Sequence, residues 1–123
     1  MKLSRLVQIA SDTVASTQRE LPAEVRTAAR SVPVRFEPAP DKDVLADGFE
    51  PDLLGLFSGP ALGEEPDPGD PMPPQIFLYM ANLWDFAGED VEAFRSEVRL
   101  TYLHELGHFL GWDEDDVASR GLE

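Results

Sequence analysis

The chain has 123 residues, 42% hydrophobic and 28% charged, which fits one soluble globular domain over residues 1–123 and leaves too little sequence for two separate cores. Twenty-four acidic against ten basic side chains give a net charge of -14, which repels nucleic-acid phosphate and anionic lipid and argues against both as partners. There is no cysteine, which excludes a disulfide framework and every thiolate metal site, and no apolar run nears the ~20 residues of a membrane span.

Met1 to Asp12 starts basic, but Arg5, Gln8 and Asp12 break its apolar stretch; it is a poor signal peptide, and a cytoplasmic location is expected. From Leu3 to Thr17, the positions Leu3, Leu6, Val7, Ala10 and Val14 follow the spacing of an amphipathic helix. A second helix is expected to open at Leu21-Pro22, where proline suits a first turn, and to run to about Arg30. Val32 to Glu37 alternates apolar and polar after Pro33 and reads as a short edge strand.

Asp41 to Pro51 is acidic and broken by Gly48, as in a loop or a single helical turn, and Leu53 to Gly59 reads as a strand or packed turn. Six prolines and three glycines between Ser58 and Pro74 predict a long surface loop that could serve as a lid. Gln75 to Met80 has the aromatic and branched content of a strand, and Ala81 to Ala87 reads as a short helix ending at Gly88. From Glu89, the series Val91, Phe94, Val98, Tyr102 and Leu106 predicts a long helix that reaches Leu110 and stops at Gly111. Asp113 to Asp116 then resembles the acid-rich first turn of another helix, with Asp113 as N-cap.

Both histidines fall in His104-Glu105-Leu106-Gly107-His108, on the long predicted helix. Positions i and i+4 lie one turn apart on one face, so both imidazoles can converge on one ion, and one zinc per chain is expected. Glu105 projects beside them, where its carboxylate can take a proton from a water whose pKa the zinc lowers from ~15.7 to about 7. That chemistry suits attack on a peptide carbonyl polarised by the same ion.

A catalytic zinc usually has three protein ligands, and without a further histidine or a cysteine the third must be a carboxylate. Gly111 can turn the chain back toward the ion, which makes Asp113 to Asp116 the natural source. Counting as in the extended motif HExxHxxGxxH places the ligand on Glu114, with Asp113 and Asp115 next in line and Asp116 also in the cluster.

At these residues the sequence resembles a small zincin-like metallopeptidase family of prokaryotes, marked by HExxHxxGxx followed by an acidic cluster. Leu53-Leu54-Gly55-Leu56-Phe57-Ser58-Gly59 is similar to that family's LLGLYEG segment, Gln75 to Tyr79 to its strand before the motif helix, and Arg95 to Thr101 to its lead into the histidines. The likeness covers the chain from about Val32 onward. It implies a compact α+β zincin-like domain with a small sheet beside an active-site helix, and a peptide or protein substrate. Family members usually have Asp where this chain has Glu114.

Two further readings compete with a zinc peptidase. One is a metal-stabilised binding or regulatory module that cleaves nothing, since a small core gains much from a metal staple. The other is a hydrolase of non-peptide bonds. A strand near the motif helix favours a peptide, which could pair with its edge, and Gln75 to Met80 is the candidate. Tyr79, Tyr102 and Arg99 are of the right type to polarise an oxyanion, although Tyr102 lies on the apolar stripe and Trp112 is expected to pack. Nothing in the pattern fixes an oligomeric state.

Overall fold

The computed structural model describes residues 1–66, 68–69 and 72–112. The elements run in the order α1 (Leu3–Glu20), α2 (Ala23–Arg30), β1 (Val34–Glu37), α3 (Lys42–Ala46), β2 (Gly55–Ser58), β3 (Gln75–Tyr79), α4 (Met80–Phe86) and α5 (Val91–Phe109). The first helix runs one turn past the expected end at Thr17. It stops where Pro22 forces the preceding Leu21 into an extended conformation, and Pro22 itself becomes the N-cap of α2. The buried stripe of α1 is Leu6, Ile9, Ala10, Val14 and Thr17, while Leu3 stays 45% exposed, so the apolar face starts a turn later than the spacing alone suggests.

The three strands form one mixed sheet in the order β1-β3-β2. β1 lies parallel to β3 with Val34 opposite Ile76, and β2 lies antiparallel to it with Gly55 opposite Leu78. Val34, Phe36, Gly55, Phe57, Ile76 and Leu78 therefore share the face that meets the helices. This placement corrects one expectation: Gln75 to Met80 offers no edge to a peptide. β3 is paired on both sides, which is also why it is the most apolar strand, and Met80 already belongs to α4.

Ile76, Leu78, Phe94, Val98, Tyr102, Leu103 and Leu106 are completely buried between sheet and helices, and α1 covers α5 from the other side. Gln18 donates a hydrogen bond to the Tyr102 hydroxyl at 3.0 Å, tying the two helices together. Two helix starts carry side-chain caps: Asp41 accepts from the Val44 N–H at 3.0 Å, and Asp90 from the Ala93 N–H at 2.8 Å. The acidic 41–51 stretch is thus a single capped turn followed by a bend, as its composition suggests. No described helix is long and apolar enough to cross a membrane.

Candidate metal centre

α5 changes role along its length. Its first three turns bury Phe94, Val98 and Tyr102 in the core, whereas the last two turn His104 and His108 outward. The two Nε2 atoms approach to 3.1 Å, with the rings nearly perpendicular and their centroids 4.7 Å apart. A zinc held tetrahedrally by two imidazole nitrogens at ~2.0–2.1 Å would separate them by about 3.3–3.4 Å, so the pair fits one such ion after a shift of a few tenths of an ångström.

Glu105 lies between them in sequence but is only 8% exposed. Its carboxylate accepts the Phe57 backbone N–H. Burial pushes its pKa above the ordinary carboxylate value, while His104 and the Phe57 N–H pull the other way. The strand register explains why Phe57 is available. Tyr79 N–H donates to the Leu54 carbonyl at 3.0 Å, so Leu54, Leu56 and Ser58 direct their amides to β3, and Gly55 and Phe57 direct theirs away from it.

A close approach makes this contact possible. A Cβ at Gly55 would sit 2.6 Å from Thr101 Cγ2 and 3.1 Å from the Phe77 carbonyl oxygen. Only glycine lets β2 press against the turn of α5 just before His104. Phe57 and Phe109, with ring centroids 5.9 Å apart, close the same contact at the far end.

The histidines and Glu105 open into a cleft of about 590 Å³, whose other walls are Phe49, Leu53, Gly55, Leu56, Phe57, Ala61 and Glu64. The loop that begins at Ser58 contributes a wall here, and its first part is fixed. Leu62 N–H donates to the Phe109 carbonyl at 2.7 Å, satisfying an acceptor that the end of α5 would leave open, and Glu64 N–H bonds Ala61 at 3.0 Å. None of the three residues considered for an oxyanion lines this cleft. Tyr102 is in the core, the buried Tyr79 hydroxyl meets no partner among the described residues, and Arg99 faces Glu20 at 3.6 Å in a separate groove between α1 and α5.

The helix ends as its glycine suggests. Gly111 has φ 74°, Gly111 N–H bonds the His108 carbonyl at 3.0 Å and Trp112 N–H bonds that of Gly107 at 2.9 Å, a double closure that reverses the chain. Trp112 packs on the core, as expected of it. Glu114, the other acids from Asp113 to Asp116 and the expected helix start at Asp113 lie outside the described residues. Among the described residues no three metal-ligating side chains come together.

A family model described as zincin-like metallopeptidase matches residues 29–122, about three quarters of the chain, including the motif helix, its glycine turn and the acids beyond it. The chain belongs to the zincin-like metallopeptidase family. Comparison with curated proteins finds no match. Membership in this family implies a metal, and the converging imidazoles fit one.

In this zincin-like metallopeptidase, sequence reasoning passed over Phe49, Glu64 and the pairing of Gly55 with Thr101. Phe49 carried a signal, as the sole aromatic among the acids from Asp41 to Asp52. Gly55 carried one too, as a glycine between apolar strand positions. The Phe57 amide had none, because a backbone donor is visible only once the register is known.

Proposed function

We propose that the protein is a zinc-dependent peptidase with Glu105 as general base and with His104, His108 and Glu114 as metal ligands; Asp113, Asp115 and Asp116 are the alternatives for the third place. One observation carries this reading: both imidazoles and the Glu105 carboxylate face an open cleft beside an edge of β2 that no described strand pairs. A structural zinc is closed off by its ligands, whereas a catalytic one keeps a position open.

When bound, zinc supplies Lewis acidity that makes water nucleophilic near neutral pH and polarises a carbonyl. Glu105 takes the proton from the attacking water and returns it to the departing amine as the C–N bond breaks. The Phe57 N–H holds the carboxylate in place for both transfers. Gly55 turns its N–H and C=O outward beside the histidines, and these can pair with an extended peptide and align its carbonyl, which favours a peptide over other hydrolysable bonds.

The test is elemental analysis of protein purified without added metal, together with cleavage of an unfolded protein such as casein. About one equivalent of zinc is expected in the wild type, none in His104→Ala/His108→Ala, and unchanged metal with no cleavage in Glu105→Gln. Full cleavage by Glu105→Gln would sink the mechanism. Bound zinc with no cleavage by the wild type would instead favour the metal-stabilised module.

A further inference from the structure

We infer that the cleft selects a peptide with a bulky apolar side chain next to the bond to be cut, and that Phe49 is the residue that reads it. The inference rests on the peptidase reading and deepens it. The lining of the cleft divides by chemistry: the reacting groups come from α5, and apart from Glu64 the rest is apolar, with Phe49, Leu53, Leu56, Phe57 and Ala61 supplying the side chains. Phe49 is 42% exposed, although burial of an aromatic ring is favourable. The free protein forgoes part of that gain, and an apolar side chain entering the cleft would recover it.

The ring is not on a loose end. Asn82 of α4 donates two hydrogen bonds from its Nδ2, at 2.9 Å to the Pro51 carbonyl and 2.8 Å to that of Leu53, and Leu53 N–H bonds the Glu50 carbonyl at 3.2 Å. The segment that carries Phe49 is thereby anchored to the helical layer, so the apolar wall is formed before a ligand arrives. Charge narrows the choice further. Away from the metal position the described lining holds one carboxylate, Glu64, and neither lysine nor arginine, so an acidic side chain lying against the apolar wall meets like charge and no cationic partner.

The experiment separates recognition from cleavage. Fluorescein-labelled Gly/Ala decapeptides with one guest residue (Phe, Leu, Ala or Asp) are titrated against zinc-loaded Glu105→Gln protein by anisotropy. Phe and Leu guests should bind about tenfold tighter than Ala and Asp. Adding Phe49→Ser should shrink that advantage to less than about threefold with the Ala guest unchanged, and Phe49→Leu should restore most of it. Equal binding of all guests, no measurable binding of any, or an advantage that survives Phe49→Ser overturns the inference. Cleavage is then measured with Glu105 intact. Guest-dependent binding without cleavage would defeat the peptidase reading and leave apolar recognition standing, while cleavage indifferent to the guest would do the reverse.

Discussion

The two outer strands of the sheet are the same length and share the same partner, yet they treat their free edges in opposite ways. β1 is bracketed by Pro33 and Pro38 and carries Arg35 and Glu37, the means by which natural sheets discourage a further strand from docking. β2 has no charge and no proline; of its outward amides, that of Phe57 turns to Glu105 and that of Gly55 lies against the cleft. With one edge guarded and the other not, the peptidase reading makes β2 the strand that would take an extended substrate.

The sharpest way to break that contrast is to remove what the open edge serves. Glu105→Gln should lower peptide cleavage by about 10²–10⁴-fold, measured as kcat/KM on a casein-derived peptide. The same variant should alter the pH dependence of stability in the metal-free protein. Burial raises the pKa of Glu105 in the folded state, so the stability linked to that shift is present below the unfolded value and is lost as pH rises through the folded one. Above that range the wild type lacks this contribution and Glu105→Gln does not, so the melting temperature of the wild type should fall relative to that of the variant as pH is raised; a parallel pH dependence of the two would refute the assignment.

Next in size is Gly55→Ala, which places a methyl against Thr101 and the Phe77 carbonyl and should cost about 1–3 kcal/mol by urea denaturation. Combining it with Thr101→Ser removes the clashing Cγ2 and should recover part of the loss. Additive effects would mean that the approach of β2 to α5 is not what Gly55 protects.

A smaller effect concerns the central strand between the two edges. The Tyr79 hydroxyl is buried without a described partner, so Tyr79→Phe should be neutral or stabilise by about 1 kcal/mol at pH 7. Burial, aided by the negative charges of Asp41, Glu37 and Glu105, pushes its pKa up to about 12. The wild type should therefore lose stability as pH rises from about 10 to about 12, and the variant should lose less over that window. The smallest expected change is at the guarded edge: Arg35→Val/Glu37→Val should leave the melting temperature nearly unaltered but introduce concentration-dependent self-association in light scattering.

Much of this arrangement was legible in the sequence because it rests on local patterns. Histidines four apart on a helix and Gly111 as the left-handed terminator are properties of a few consecutive residues, and the structure places them as the spacing implies. The choice of strand beside the site was not legible. Gln75 to Tyr79 has the strongest strand signal since it is enclosed on both sides, and that same enclosure denies it to a substrate. The accessible strand reads weakly because it contains Gly55, the residue that lets it reach the helix. Phe49 escaped for a related reason: its place in the cleft depends on Asn82, 33 positions away, holding the carbonyls of Pro51 and Leu53.

The packing of α1 on α5 also sets an order in time. Gln18 and Tyr102 are 84 residues apart, and although α2 and α4 also meet α1, its apolar stripe of Leu6, Ile9, Ala10 and Val14 lacks its principal cover until α5 has been made. As the chain leaves the ribosome, α1 must wait through the whole sheet for its partner, a long-range closure of the kind that slows folding and leaves intermediates prone to stick. The same helix completes the core and delivers the histidines. The paired histidines are therefore brought to the sheet in the same step that makes the protein compact.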